Sequence, residues 1–422
     1  MTTTDNATPE SQGITSRQEW RKSWTVVLAA FVGVSLGSLH IYSTGLFIEP
    51  LESEMGWSRT EITSGLTLIS VVGAFFSPFV GLMIDRCGAR SIAVPGAILY
   101  CVAFGSLSLT GPSIWNWWGL WFLIACLALM QKPTVWSAAV SSHFIKSRGL
   151  AIAITFCGAG LGSSIIPLIT HTLISEFGWR IAYIGLGAIF FLISVPTLVL
   201  FFHDARKSHT GHGGPVEAAD SPVIPGWSVK QGFKSRQFFQ LTAAALLITA
   251  VVVGMVVHVV PLLTESGLPR PTVVKIVSLI GIMSIVGRLS VGYLFDRLPG
   301  PPVGMCSVGL PALSAVIILL FPDSLPLVVL AVIILGLAVG GEYDAIIYLS
   351  TRYFGLRNFG TLFGFVASMI LAGVGLGPLL GGLLYDLAGD YRVFLMVVIP
   401  MSLITSILLG TLGKYPDHTG EE

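Results

Sequence analysis

Apolar stretches of membrane length alternate with short polar turns along the whole chain. Twelve can be counted, at residues 24–48, 62–84, 91–111, 114–142, 149–175, 178–202, 237–263, 272–295, 303–321, 324–350, 358–385 and 389–412. Uninterrupted apolar runs of about 18 residues or more predict transmembrane helices. Only helices and closed barrels satisfy backbone polar groups in hydrocarbon, and barrel strands alternate in polarity, which these runs do not. The predicted fold class is therefore an all-α membrane protein with twelve transmembrane helices. The second span opens with a capping box, Ser58 to Glu61, flanked by Trp57 and Ile62 as a hydrophobic staple. Residues 203–236 are rich in Gly, Pro and charge and read as a linker. Polar tails occupy residues 1–23 and 413–422.

The second half of the chain repeats the first. Pro50-Leu51 recurs as Pro261-Leu262, Asp85-Arg86 as Asp296-Arg297, His143-Phe144 as Tyr353-Phe354, Pro167 as Pro378, and Trp179-Arg180 as Tyr391-Arg392. The offsets are 211, 211, 210, 211 and 212 residues. Five ordered matches at nearly one offset predict two pseudo-symmetric six-helix halves, residues 24–202 and 237–412. In transporters built from such repeats, a site lies near the midplane between the halves.

Composition agrees. Hydrophobic residues make up 53% of the 422 and charged residues only 11%, against about 25% charged in soluble domains, and the mean hydropathy is +0.82. A net charge of +1 gives no field for nucleic acid. Sixteen Lys and Arg fall on one set of loops and tails and five on the other, which predicts that both termini are cytoplasmic. The polar first 21 residues predict no cleaved leader, and on a cytoplasmic tail the sequon Asn6-Ala7-Thr8 is incidental. The five cysteines show no paired or metal-binding spacing and read as small apolar fillers. No catalytic constellation is visible, so no enzyme, cofactor or metal is predicted. A monomer in a lipid bilayer, multi-pass in a plasma membrane such as a bacterial inner membrane, is expected.

Chemistry is carried by charges within the spans, because an ionised group at the bilayer centre costs at least about 2.5 kcal/mol. Lys132, Arg288, Glu342 and Asp344 are such groups. Arg288 precedes Asp296 by eight residues, roughly 12 Å along a helix, and its counterpart in the first half is Ser77. It is either a ligand contact or a structural ion pair. Lys132 and Glu342 each precede an equivalent phenylalanine, Phe144 or Phe354, by twelve residues. They occupy matching places in the fourth and tenth spans and could bridge the halves. Glu342 and Asp344 are two apart, about 200° around a helix, and cannot face the same way. His40, His171 and His258 also lie in spans. Each is either a polar contact for a ligand or an imidazole bonded between helices, the latter favoured for His171. The glycine runs 158/160/162 and 373/375/377 predict close-packed helix faces. Trp115, Trp117, Trp118 and Trp121 predict an interfacial belt.

Gly81-x-x-x-Asp85-Arg86-x-Gly88-x-Arg90, echoed at Gly292, Asp296 and Arg297, resembles the loop signature of the major facilitator superfamily. In that reading, Gly81 and Gly292 permit close helix packing and the charges latch helix ends in one access state. His143-Phe144-x-Lys146-x-Arg148-x-Leu150-Ala151, then Gly158 and Gly162, is similar to the monocarboxylate transporter family with its oxalate–formate exchanger relatives, as is Gly56-Trp57-Ser58-Arg59. Ser147 and Ala153 depart from that pattern. The resemblance implies that spans one, four, seven and ten line a central cavity, making Lys132, His40 and His258 candidates there. It also implies that Arg288 contacts a substrate carboxylate, for which guanidinium is bidentately matched. The family's lysine in span one aligns with Tyr42, and its proton-linked aspartate aligns with Ser284. No Lys or Arg follows Arg357 in span eleven, so a small dianion is disfavoured. The four intramembrane charges sum to zero, and an arriving monoanion is balanced by a proton on Glu342 or Asp344. These features predict a proton-coupled symporter of a small organic monocarboxylate. An anion exchanger, a carrier of a neutral or cationic molecule with Arg288 structural, and a binding-only sensor are the alternatives.

Overall fold

The computed structural model describes residues 16–144, 147–203, 226–355 and 357–416, apart from the side chains of residues 77, 78, 81, 82, 85 and 148. Most of the predicted linker and the predicted roles of Gly81 and Asp85 thus lie outside the described groups. Among the described residues, ten helices are long and apolar enough to cross a membrane. The longest, Gly149–Phe201, holds two spans, because Gly178 at φ 79° breaks it. That positive φ is open to glycine with little strain. Arg59–Cys87 adds a further long apolar helix, so twelve spans stand where the apolar pattern placed them. The capping box is formed: Glu61 N–H donates to Ser58 Oγ at 3.2 Å and Ser58 N–H to Glu61 Oε2 at 2.9 Å.

Each half has its own core. The largest buried cluster draws on residues from Val26 to Phe202, with only Val253 and Val257 from the second half. Two further clusters are built almost wholly from the second half. Lipid tails are as apolar as leucine, so the seams between halves depend on close backbone approach. A Cβ on Gly281 of the eighth span would stand 2.1 Å from Gly160 O of the fifth, and one on Gly45 would stand 2.2 Å from Val257 O. Thr67 Oγ1 of the second span donates to Gly375 O of the eleventh at 2.9 Å. The glycine runs therefore serve as packing faces. Gly292 does not, since nothing comes within 4 Å of a Cβ there.

The tryptophan belt needs correction. Trp115 is exposed, but Trp117 and Trp121 are each 1% exposed, the latter pressed against Gly65. Trp118 Nε1 donates to Ser64 Oγ at 2.8 Å. At about 100° per residue the four spread over an arc of roughly 160°, with Trp117 and Trp121 adjacent on the buried side and Trp115 at the exposed edge.

Candidate functional site

The eighth and tenth spans close like a zip that ends in an ion pair. Gly336, Gly340 and Asp344 recur at four-residue spacing on one face of the tenth span, Leu325–Phe354. Opposite them stand Ile280, Ser284 and Arg288 of Arg270–Phe295. A Cβ on Gly336 would meet Ile280 O at 2.9 Å, and one on Gly340 would meet Ser284 O at 1.9 Å and Arg288 N at 2.7 Å. The approach those glycines allow brings Arg288 Nη1 to 2.9 Å from Asp344 Oδ1, the two side chains 22% and 28% exposed. The pair is neither sealed in the core nor turned wholly to lipid.

Glu342 points elsewhere on the same helix, as its offset from Asp344 requires. It is 8% exposed, and its Oε2 has no hydrogen-bond partner. Its field is coupled to Arg288, Asp344 and Tyr42. Tyr42, on the first span, lies close to Ser163 and within electrostatic reach of Arg288 and Glu342 across the seam between halves. Tyr343 and Cys157 lie in the same field. One guanidinium, two carboxylates and two phenols from spans one, eight and ten therefore share one region.

Lys132 sits at a break in the fourth span, Ile114–His143. Pro133 follows it and bars the α conformation from its predecessor, so Lys132 adopts ψ 152° and Pro133 restarts the helix. Lys132 Nζ donates to Gly73 O at 3.3 Å, and Leu371 of the eleventh span lies 3.6 Å from a Cβ on that glycine. On the side carrying the chain termini, Thr134, Ser137, Ser141 and Ser142 form an open polar surface along the helix that follows this break.

The two histidines expected beside the cavity each bond a neighbouring helix. His40 Nδ1 is 2.9 Å from the Tyr100 hydroxyl. His258, 0% exposed, has both ring nitrogens engaged, Nδ1 with the Tyr391 hydroxyl and Nε2 with Pro378 O, each at 2.8 Å. A neutral imidazole bonded at both nitrogens has nothing left for a ligand.

The end of the bundle away from the termini is bolted shut, a feature the sequence reading missed. Arg59, 4% exposed, pairs through Nη2 with Glu52 Oε2 at 3.1 Å and Glu265 Oε1 at 2.6 Å. Its Nη1 donates to the Tyr391 hydroxyl at 2.8 Å, and its guanidinium lies 3.5 Å from the Tyr385 ring centroid. Asp386 accepts the backbone N–H groups of Arg59 at 3.1 Å and Thr60 at 2.9 Å, so a second-half carboxylate caps a first-half helix. Arg270 returns the gesture: Nη1 pairs with Glu49 Oε2 at 3.0 Å and Nη2 donates to Leu46 O at 2.6 Å. The signal was present, because Arg59 and Arg270 are themselves 211 residues apart. At the terminal end, Arg86, Asp296 and Arg297 are exposed, and Arg297 stacks on Tyr293 of its own helix. Arg90 Nη2 donates to Val199 O at 2.8 Å, within the first half. Among the described residues, no ion pair joins the halves at that end.

Comparison with known proteins agrees with this two-half architecture. The profile of the Major Facilitator Superfamily matches residues 26–355 and 301–421. The chain belongs to that superfamily. It is 26% identical over 402 residues to monocarboxylate transporter 13 of Bos taurus, covering 93% of this chain and 89% of the relative. It is 25% identical to the MFS transporter asaE of Aspergillus flavus over 96% of this chain and 90% of that protein. In fold it matches a bacterial homologue of the lysosomal transporter Spinster, crystallised inward-facing and unoccupied, with TM-score 0.70, 16% identity, and coverage of 96% and 100%. The nucleoside transporter NupG gives TM-score 0.72 at 12% identity, covering 93% and 99%.

Proposed function

We propose that this transporter carries a small organic monocarboxylate across the plasma membrane by alternating access, with proton symport. The observation that carries the reading is the Arg288–Asp344 pair, part-exposed at mid-span depth in a scaffold whose other half holds Ser77 instead of a cation. An incoming carboxylate competes with Asp344 for the guanidinium. A proton on Asp344 or Glu342 removes the charge that the anion adds. Ser284 stands where the resembled family has its proton-linked aspartate, and Asp344 supplies from the tenth span the carboxylate that this site lacks in the eighth. The similarity to monocarboxylate transporters at 26% identity supports the substrate class. With the termini in the cytoplasm, as the Lys and Arg distribution predicts, the end joined by Arg59 and Arg270 is extracellular.

Uptake of radiolabelled short monocarboxylates into proteoliposomes, with and without an imposed proton gradient, tests the proposal. Acid outside raises the initial rate, and Arg288→Lys lowers it at least about tenfold, because an ammonium cannot reproduce the bidentate fork. Rates indifferent to the gradient exclude proton coupling. Full retention by Arg288→Lys excludes the carboxylate contact. A second reading is favoured by Asp344 already occupying Arg288: a neutral or cationic substrate, with that pair structural. Failure of excess monocarboxylate to compete with transport, with and without Arg288→Lys, selects it.

A further inference from the structure

The charges at this site do not match a simple fatty-acid-like anion. Arg288 is already paired with Asp344, and Glu342 stands in the same region with a buried oxygen that no group satisfies. Leaving such an oxygen unpaired costs several times what a made hydrogen bond returns. Helical register sets the two acids on different walls. Gly340 and Asp344 face the eighth span, whereas Glu342, about 200° from Asp344, leaves that face yet stays within electrostatic reach of Arg288 and of Tyr42 on the first span. Tyr343, 38% exposed, lies between them in sequence. A ligand held on Arg288 therefore has a second acceptor within electrostatic reach, Glu342, whose buried oxygen lacks a partner and near which the Tyr42 phenol lies. Aromatic faces and a carboxylate together are an environment for a cationic nitrogen.

We propose that the transported monocarboxylate also carries an ammonium group, its carboxylate on Arg288 and its nitrogen on Glu342. This rests on the carboxylate reading of Arg288 and narrows it to amino-carboxylates. The substrate then replaces Asp344 as the anion on the guanidinium and gives Glu342 the donor it lacks. Binding of such a zwitterion adds no net charge, and a proton taken up by Asp344 releases it from the guanidinium.

The test uses the full chain in detergent and in proteoliposomes, with matched probes: β-alanine and propionate, γ-aminobutyrate and butyrate, ε-aminohexanoate and hexanoate, and alanine and leucine against their deaminated carbon skeletons. Thermal stabilisation gives half-saturating concentrations, and counterflow confirms transport. In the unaltered protein, at least one amino acid half-saturates at about tenfold lower concentration than its amine-free partner, one tenfold step being about 1.4 kcal/mol. Glu342→Gln collapses that ratio towards one, and Glu342→Asp, which keeps the charge, retains a preference shifted to a longer amino acid. Equal or tighter binding of the amine-free acids overturns the proposal, as does an unchanged ratio in Glu342→Gln. If those acids bind and respond to Arg288→Lys while amines add nothing, only the ammonium assignment falls. If neither series binds, the carboxylate reading falls with it.

Discussion

Glu265→Gln tests whether the Arg59 cluster sets the balance between access states. Arg59 is nearly sealed, and its 2.6 Å contact with Glu265 crosses from one half to the other. That contact exists only while the far end is closed. Hydrogen bonds to charged partners are worth about 1.5–3 kcal/mol each, and about 1.36 kcal/mol is tenfold in an equilibrium constant. Replacing the carboxylate by an amide therefore shifts the ratio of far-end-closed to far-end-open forms roughly 10- to 150-fold towards open. Glu52, Tyr391 and Asp386 keep part of the latch, so the variant still folds and closes. Arg270 is more exposed than Arg59, 24% against 4%, and Arg270→Gln shifts the ratio by less than about tenfold, the range for partly solvated ion pairs. Spin labels at Glu176→Cys and Lys275→Cys, exposed positions of opposite halves, report the far-end separation by pulsed electron resonance. A longer-distance population should grow in Glu265→Gln and grow less in Arg270→Gln. Superimposable distributions for Glu265→Gln and the parent, or a larger shift from Arg270→Gln, refute the reasoning.

Further outcomes follow from the packing. Gly340→Ala places a methyl 1.9 Å from Ser284 O, so the helices must part. It should destabilise by about 1–3 kcal/mol and weaken substrate-induced stabilisation, read together by thermal unfolding with and without ligand. His258→Ala strips partners from the Tyr391 hydroxyl and Pro378 O. Each buried group left unsatisfied costs about 1–3 kcal/mol, so thermal stability falls while the preference among carboxylate probes does not change. Asp344→Asn and Arg288→Gln should be non-additive in unfolding assays, because each alone leaves a partner charge without its mate. Additive losses would mean that the 2.9 Å pair carries no coupling. Acidifying the outside of proteoliposomes should raise uptake in the parent, and this response should vanish in Glu342→Gln or Asp344→Asn, whichever residue carries the proton. Retention in both removes proton coupling from these acids.

Apolar periodicity and a constant offset decided a good deal by themselves. Lipid leaves a chain few backbone options, so long apolar runs must be helices, and duplicated loops must mark duplicated halves. Twelve spans, the capping box at Ser58 and the glycine faces were legible for that reason. So was the divergence of Glu342 and Asp344, which follows from helical pitch alone. What a side chain touches on another span was not legible, because it depends on which helices pack and how closely. Only the tertiary structure decided that Asp344 rather than Glu342 holds Arg288, through the approach allowed at Gly336 and Gly340. It engaged both ring nitrogens of His258 between helices. It also sent Arg59 and Arg270 each into the opposite half, a symmetry present in the offset but invisible until the two halves were set face to face.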